Sequence, residues 1–481
     1  MVPTIQYLYS FLVGTGILAL QLSGFVLAGH AVMTNRTTQG TIAWALMLSI
    51  FPYLGVPLYL VFGINRFDAY VQARRRVNED LQGIHEKSFP TFLSERDVKG
   101  LSPKDRHTIE KLAKSPFSYG NHAELLVNGE ATFESIFNGI REAKHYVLIQ
   151  FFTIIDDELG RQLKQELLNA AARGVRVYLL YDSIGSRKLT RSYLKDLHAG
   201  GVQAVPFRTG RGWRGRTRLN FRNHRKIVVV DGKRCWTGGH NVSNTYVSKN
   251  PKFGHWRDTH IVLEGPAVSG GQLAFCEDWY WETRELPEVD WPMPPEQPTG
   301  WEALVLTTGP ADKRETCSLA FLQLIQMAKE RIWIHSPYFV PDEQMVTALE
   351  LAALRGVDVR ILLPEKPDHV LVWLSSFYFI ALPQLADVKI HRYQPGFLHS
   401  KVMLVDDYLS SVGTINFDNR SFRINFEMTA LVANPSFARR VEEMMAEDFR
   451  QSRIVEPTEY LRRPLYFRIA VRVARLLAPL Q

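Results

Sequence analysis

The chain carries one motif twice, as Asn223-His-Arg-Lys-Ile-Val-Val-Val-Asp231 and as Leu398-His-Ser-Lys-Val-Met-Leu-Val-Asp406. Each copy has a His, a Lys two residues later, and an Asp after four further residues. A Gly and an Asn follow each copy at the same distance, ending at Asn241 and at Asn416. Both the two His and the two Asn are 175 residues apart, so the copies are in register. The motif therefore belongs to an internal repeat.

The centre of each motif is an apolar run, Ile227–Val230 and Val402–Val405, which predicts a strand buried in a sheet. Residues two apart in a strand project from the same face, so the His and Lys of one copy are expected to serve one site. Each run ends in an Asp followed by turn residues. We place Asp231 and Asp406 in the catalytic set, and expect both to support the site structurally.

The same order of helices and strands surrounds both motifs, which predicts an α/β fold of two tandem repeats at residues 120–285 and 301–454. A proline-rich segment at residues 286–300 cannot hold regular structure and is predicted to be the linker. Neither motif is sufficient alone for the chemistry described below. We therefore expect the repeats to meet about a pseudo-twofold axis.

Transfer at a phosphodiester needs a nucleophile, a proton donor for the departing alcohol and cations around the non-bridging oxygens. Two His-x-Lys pairs supply all three, with one His to attack, one to protonate, and two lysines to hold the oxygens. The sequence thus predicts a single active site built from His224, Lys226, His399 and Lys401. The lysines take the place of a metal in this scheme, and no metal or cofactor is predicted.

Each catalytic imidazole needs an acceptor for its second nitrogen. Asp258 in Trp256-Arg-Asp258 and Glu427 in Asn425-Phe-Glu427 lie at similar distances after the two motifs and are the candidates. Asn241 and Asn416 are candidates to donate to phosphate oxygen or to fix a lysine.

The first 65 residues contain one formally charged side chain, Arg36, between the apolar runs Tyr7–Met33 and Thr41–Phe62. Each run is long enough for the ~20 residues that cross a bilayer core. The sequence therefore predicts a two-helix transmembrane hairpin at residues 1–65, although Pro52 and Pro57 leave a kinked or partly re-entrant second segment open.

Basic residues at Arg66 and at residues 74–76 follow the second run, and residues 66–119 are interpreted as a connector. Positive charge flanking a membrane span favours the cytoplasmic side, so the bulk of the protein is predicted to be cytoplasmic. The formal net charge of +8 points to acidic partners, either anionic lipid or nucleic acid. The three cysteines are odd in number and widely spaced, which favours buried, reduced thiols.

Two basic segments bear on the choice of partner. No acidic residue lies between Asp196 and Asp231, and the arginines that accumulate there include the predicted headgroup ligands Arg218, Arg222 and Arg225. Such a loop could also hold a nucleic-acid backbone. Within residues 455–481, Leu465–Leu477 alternates arginines with apolar residues as a basic amphipathic helix, which suits either an anionic membrane surface or packing on the protein itself.

The doubled His-x-Lys-x4-Asp motif resembles the mark of the phospholipase D superfamily over roughly residues 120–450. Within it, the hairpin, the Asn220–Lys226 context, Trp256-Arg-Asp258 and Glu264-Gly-Pro266 resemble the bacterial cardiolipin synthases. The resemblance implies two mixed β-sheets packed together and flanked by helices, with His224 as nucleophile and His399 as acid and base. It also implies transfer of a phosphatidyl group between two phosphatidylglycerol molecules at the bacterial inner membrane.

Other activities stay open from the sequence. A phospholipase D-type hydrolase, or an enzyme that exchanges headgroups, would use the same residues and differ only in the attacking hydroxyl. A membrane-tethered nuclease or nucleic-acid-binding protein would use the arginine-rich loop, but the apolar N-terminus favours lipid as partner.

Overall fold

The structure, a computed structural model, describes residues 2–34, 38–63, 70–71, 100–208, 221–291, 300–456, 458–478 and 481. The chain divides into two compact units. The first contains residues 1–68 with 208–221, and the second contains residues 69–207 with 222–481. Both copies of the repeated motif lie in the second unit.

The first unit contains three apolar helices among its described residues: α1 Val2–Thr34, α2 Thr38–Ile50 and α3 Pro52–Phe62. They pack on one another, and polar contacts tie them together. His30 Nδ1 lies 2.9 Å from the Tyr59 hydroxyl, and Gln21 donates to the backbone oxygen of Ser49 at 2.8 Å. Within α1, the stretch Phe11–Thr34 is long and apolar enough to cross a membrane.

The second apolar run forms two helices, α2 and α3, with a break at Phe51, in keeping with the kinked segment that its prolines leave open. Phe51 leaves the helical conformation at φ −126° and ψ 61°, and a new helix begins at Pro52. Proline has no backbone N–H to continue the earlier helix but fits the first position of a new one. Pro57 lies inside α3 without ending it. Of the described helices, α1 alone meets the length and composition of a span.

The second unit begins, in its described part, with helix α4 Pro103–Ala113. The first repeat then comprises β1 Ser118–Val127, α5 Asn128–Glu142, β2 Tyr146–Phe151, α6 Glu158–Ala172, β3 Arg176–Asp182, α7 Arg191–Ala199, β4 Gln203–Phe207, β5 Arg222–Asn223, β6 Ile227–Val230, β7 Arg234–Gly238, β8 His255–Arg257, β9 Thr259–Glu264 and α8 Val268–Thr283.

The second repeat follows the same order. It comprises β10 Trp301–Thr308, α9 Thr316–Met327, β11 Arg331–His335, β12 Phe339–Val340, α10 Glu343–Leu354, β13 Asp358–Pro364, α11 Val370–Ile380, β14 Lys389–Tyr393, β15 Gly396–Leu398, β16 Val402–Val405, β17 Leu409–Gly413, β18 Phe417–Asp418, α12 Asn419–Arg423, β19 Asn425–Ala433, α13 Pro435–Arg450 and β20 Ser452–Ile454. Helices α14 Glu459–Arg462 and α15 Leu465–Arg475 end the chain.

One large mixed sheet joins the two repeats. At its centre β1 pairs antiparallel with β10, with Ser118 opposite Ala303. Outward from this pair the order is β9-β7-β6-β2-β3-β4 in the first repeat and β19-β17-β16-β11-β13-β14 in the second. Each of these strands therefore has a counterpart at the same place in the other half, as a pseudo-twofold requires, and β20 adds one edge strand beyond β14 in the second half.

This order confirms the predicted α/β fold with two repeats and mixed strand pairing. The expectation of two separate sheets packed together is corrected, because β1 and β10 hydrogen-bond the halves edge to edge. Each half keeps its own hydrophobic core, centred on Ile149 and Val228 in one and on Ile334 and Met403 in the other. The predicted linker at residues 286–300 lies mostly outside the described residues.

Candidate active site

The His and Lys of each motif lie immediately before an interior strand, β6 in the first repeat and β16 in the second. All four side chains are buried: His224, Lys226, His399 and Lys401. Lys226 Nζ donates to the backbone oxygen of His224 at 2.7 Å, and Lys401 donates to that of His399 in the same way. Each lysine is thus held beside the histidine of its own motif.

Each histidine is oriented by a carboxylate from the opposite repeat. His224 Nδ1 lies 2.9 Å from Glu427 Oε2, and His399 Nδ1 lies 2.7 Å from Asp258 Oδ2. The predicted acceptors are therefore both in place, but they are exchanged between the repeats. Neither half on its own provides a histidine together with its acceptor.

Two short parallel pairings between the repeats produce this exchange. β5 pairs with the start of β19, and the backbone N–H of His224 then donates to Phe426 O at 2.9 Å. β8 pairs with β15, and the N–H of His399 donates to Arg257 O at 2.7 Å. Each histidine backbone is thereby fixed to the residue that precedes its carboxylate.

Glu427 is fully buried and has several donors besides His224. Thr414 Oγ1 donates to it at 2.5 Å, Ser421 Oγ at 2.9 Å and Asn425 Nδ2 at 3.1 Å. Burial alone would raise the pKa of Glu427, but the charges and hydrogen bonds of His224, Lys226 and Thr414 outweigh it and lower that pKa below its usual value. Glu427 is therefore ionised at neutral pH.

Asp258 has a different environment. The backbone N–H of Thr259 donates to its Oδ1 at 2.8 Å. A Cβ atom at Gly239 would lie 2.0 Å from that same oxygen, so only glycine leaves room for the carboxylate. Thr414 occupies the position equivalent to Gly239 in the second repeat and donates to Glu427 instead. The glycine that trails the first motif thus has a steric role in the site.

Both histidines are neutral in the unliganded protein. Burial lowers the pKa of His224 to about 4, against the opposing charge of Glu427. Burial and then the charge of Lys401 lower the pKa of His399 well below its usual value. A carboxylate accepts hydrogen bonds, so the Nδ1–H of each ring donates to it and Nε2 keeps its lone pair.

The two lysines have lowered pKa values as well. Burial lowers the pKa of Lys226 to about 7 and that of Lys401 to about 8, and the charge of Lys401 further lowers the pKa of Lys226. The charges of Lys226 and His224 in turn lower the pKa of His399. Groups from the two repeats therefore act on one another as a single electrostatic cluster.

Asn241 and Asn416 are both buried close to the motifs, and the side chain of Asn241 binds a backbone N–H and a tyrosine rather than a lysine. Asn241 donates to the Tyr246 hydroxyl at 2.8 Å and accepts from the Thr153 N–H at 3.1 Å. Asn416 has a buried Oδ1 without a hydrogen-bond partner among the described residues. The contacts of Asn241 make it a support for the loop, and neither asparagine contacts a lysine in the hydrogen bonds described.

Among the predicted headgroup ligands, Arg225 also has a structural role. Its guanidinium is buried, pairs with Asp278 at 2.9 Å and donates to the backbone oxygens of Glu427 and Thr308 at 3.2 Å. These contacts hold the guanidinium inside the protein, where it stabilises the packing of the two repeats, and headgroup binding by Arg225 stays a prediction. Partial burial lowers the pKa of Arg222, and the negative charge of Asp182 opposes that shift. Arg218 lies outside the described residues.

Asp231 and Asp406 lie at the far ends of β6 and β16 from the histidines. Asp231 accepts from the N–H groups of residues 144–146 at 2.8 to 2.9 Å. Asp406 accepts from those of residues 329–331 at 2.8 to 3.2 Å. Both have φ of 51° at the start of the turn that follows β6 or β16, and each carboxylate binds the backbone at the start of β2 or β11. All of these contacts are with backbone N–H groups, which is the bonding pattern of structural support.

Replacing Asp406 by alanine is expected to destabilise the fold by about 1–3 kcal/mol, because the N–H groups of residues 329–331 lose their buried acceptor. The kcat of the folded enzyme should change little. Thermal unfolding in detergent measures the first effect and an activity assay the second. Asp407→Ala, an exposed neighbour, is the control, and a loss of kcat without a loss of stability would argue for a catalytic Asp406.

Several residues that contact the site were not identified from the sequence. The ring of Phe152 lies 5.2 Å from that of His224, and the rings of Trp256 and Tyr246 lie 5.2 and 5.8 Å from that of His399. Of these three aromatic residues, only Trp256 lies in a motif quoted from the sequence, Trp256-Arg-Asp258. Tyr246 and Phe152 have no counterpart motif, so no sequence signal marks them. Among the described residues, no cluster of three or more His, Cys, Asp or Glu is suited to hold a metal ion.

Comparison with protein families gives two matches. Residues 136–254 and 321–449 match the family model described as cardiolipin synthase, PLD-like domain. Residues 25–63 match the phospholipase D-nuclease N-terminal family. The matched regions include both motifs, Glu427 and part of the apolar N-terminus, and Asp258 lies four residues beyond the end of the first region.

Full-length relatives are similar over almost the whole chain. Cardiolipin synthase A of Pseudomonas fluorescens is 47% identical over 479 residues, covering 99% of this chain and 100% of the relative. Cardiolipin synthase A of Pseudomonas aeruginosa is 46% identical over 472 residues, covering 97% and 96%. Among solved structures, phosphatidylserine synthase of Haemophilus influenzae superposes with a TM-score of 0.60 at 15% identity, covering 79% of this chain and 100% of that one. This last likeness concerns the fold.

Proposed function

The chain belongs to the cardiolipin synthase family of phospholipase D-like proteins, and we propose that it transfers a phosphatidyl group from one phosphatidylglycerol to a glycerol hydroxyl of another. The products are cardiolipin and glycerol. The observation that carries this proposal is the exchanged pairing of two histidines with two carboxylates, His224 with Glu427 and His399 with Asp258. It provides two oriented imidazoles for a reaction that needs two.

In the first step, His224 Nε2 attacks phosphorus, and the bond from phosphorus to the oxygen of the headgroup glycerol breaks. His399 gives its proton to that oxygen, and glycerol leaves. The phosphatidyl group is then held on nitrogen as a phosphohistidine. The assignment of His224 as nucleophile rests on resemblance to the superfamily, since each histidine has a lysine and a carboxylate beside it.

In the second step, His399 is neutral and takes the proton from the hydroxyl of the second phosphatidylglycerol. The alkoxide attacks phosphorus, the N–P bond breaks, and His224 is regenerated. Lys226 and Lys401 are placed to hold the non-bridging oxygens through both steps. An arriving phosphodiester brings a negative charge that favours protonated lysines and a protonated His399, so substrate binding prepares the acid.

Membrane association is supported by α1, whose length suits a bilayer. We propose that the catalytic unit faces the cytoplasm and acts on phosphatidylglycerol of the inner membrane, since basic residues follow the apolar N-terminus. The same proposal includes α2 and α3 as further membrane segments, which would make the protein multi-pass. Nucleic acid is not the expected partner.

Purified protein incubated with phosphatidylglycerol alone is expected to produce cardiolipin and glycerol in equal amounts. Lipid products can be resolved by thin-layer chromatography and glycerol measured enzymatically. Phosphatidic acid in place of cardiolipin would indicate that water is the acceptor, and a hydrolase. Cleavage of DNA without any lipid turnover would overturn the proposal as a whole.

A further inference from the structure

The last long helix, α15, has three different faces. Successive residues of a helix are rotated by about 100°, which places Phe467, Val471 and Ala474 on one side. Val471 and Ala474 are buried, and the ring of Phe467 lies 5.9 Å from Trp373 and 5.2 Å from Phe377 of α11. This side of α15 is fixed to the catalytic unit by packing on α11.

A second face of α15 is apolar and points away from the protein. It covers roughly 120° of the helix circumference by the same rotation. Its side chains are between 44% and 76% exposed: Leu465, Tyr466, Ile469, Val473, Leu476 and Leu477. The helix therefore does not use this face for packing on the described protein, and large exposed apolar patches mark interaction sites.

The third face carries Arg468, Arg472 and Arg475 and borders the exposed apolar one. Arg475 and Arg472 lie over the ring of Tyr378, at 3.9 and 5.3 Å. No acidic residue occurs from Leu461 to the end of the sequence. An apolar face bordered by cations matches an anionic bilayer surface, where arginines meet phosphates and apolar side chains enter the acyl boundary.

The partner helix α11 connects this surface to the active site. It begins directly after Asp368 and His369, and its first residues Val370 and Leu371 are exposed as well. Asp368 accepts from the Tyr338 hydroxyl at 2.6 Å, and its charge acts on both His399 and Lys401. The α11–α15 pair thus extends from the catalytic cluster to the exposed apolar face.

We propose that this outward face of α15, with its arginine border, lies in the interface of an anionic phospholipid bilayer and holds the catalytic unit there. It is a membrane contact separate from α1. The inference rests on the proposed function in one respect: an enzyme whose substrates stay in the bilayer needs its site at the lipid surface. Basic amphipathic helices enter the headgroup region by about 5–10 Å.

Site-specific fluorescence on the full chain tests this directly. The three native cysteines are buried, so a thiol-reactive NBD label will select a cysteine introduced at the surface. Ile469→Cys reports on the α15 face, and Leu354→Cys at the end of α10 is the matched control, since both residues are large, apolar and more than half exposed. Both variants are reconstituted in vesicles of phosphatidylglycerol and phosphatidylcholine.

The label at residue 469 is expected to shift to shorter emission wavelength and to lose at least about half of its intensity to a nitroxide-labelled lipid. The label at residue 354 should instead be quenched by aqueous iodide. Arg472→Gln, or vesicles of phosphatidylcholine alone, should weaken lipid quenching at residue 469. Iodide access at 469 equal to that at 354 would overturn the proposal. So would protection from both quenchers, which would indicate a protein partner or a second copy.

The quenching readout does not depend on activity. Lipid quenching at residue 469 in a protein that makes no cardiolipin would overturn the proposed function and leave the membrane contact standing. Cardiolipin synthesis without lipid quenching at residue 469 would overturn the membrane contact and leave the proposed function standing. Ile469→Asp with Val473→Asp should then raise the KM for bilayer phosphatidylglycerol several-fold with little change in thermal stability, since both side chains are exposed, whereas Leu354→Asp should leave KM unchanged.

Discussion

Cardiolipin formation is expected to fall by at least about 10²–10⁴-fold when either His224 or His399 is replaced by alanine, because that is the usual contribution of one positioned acid or base. Loss of the nucleophile should be the more severe of the two. Rapid quenching with phosphatidylglycerol labelled at phosphorus should trap a protein-bound phosphatidyl group that is labile to acid and stable to alkali. The His224→Ala variant should not form it.

His107→Ala is the matched control, because His107 is exposed on α4 and belongs to no part of the site. Its activity should equal that of the unmodified protein. Substantial turnover in both active-site variants would contradict a shared centre. Labelled protein in the His224→Ala variant but not in His399→Ala would instead reverse the assignment of nucleophile and acid.

The second large effect is expected from the carboxylates. Glu427→Gln and Asp258→Asn should each lower kcat by about 10²–10⁴-fold, because an amide can donate to the imidazole and so favour the wrong tautomer. Since Glu427 acts through His224, the double variant His224→Ala/Glu427→Gln should be no worse than His224→Ala alone. Glu264→Gln, on the exposed end of β9, is the control.

The pH profile separates orientation from a general structural effect. In the unmodified protein Glu427 opposes the burial that lowers the pKa of His224 to about 4. Without its charge that pKa falls further, so neutral His224 persists to lower pH and the acidic limb of kcat/KM moves to lower pH. An unchanged acidic limb, or multiplicative losses in the double variant, would falsify the orienting role.

The repeat and its chemistry could be predicted from the sequence because the motif spacing carries the information directly. Strand-like runs before Asp231 and Asp406 gave the interior strands, and the matched copies implied a pseudo-twofold. The exchange of Asp258 and Glu427 between repeats could not be predicted, since it depends on β5 and β8. Strands of two and three residues have no periodicity that a sequence pattern can reveal.

Two other structural details have local causes. The position of Arg225 in a basic segment predicts a phosphate ligand. Its neighbours His224 and Lys226 occupy one side of the chain and send Arg225 to the opposite one, where Asp278 receives it. The second apolar run, Thr41–Phe62, has the length and the apolar composition of a membrane span. Pro52 divides it, and composition averaged over the run does not register one missing backbone donor.

The exchange of acceptors between the halves also limits how this centre could have arisen. A homodimer of one ancestral repeat would produce the same exchange, since a twofold interface makes every contact in duplicate. In such a dimer both sides are identical, so the lipid that gives its phosphatidyl group and the lipid that receives it would meet the same surroundings. Fusion into one polypeptide lifts that restriction, and the difference between Gly239 and Thr414 shows that the two sides are no longer identical where they touch the carboxylates that orient the histidines.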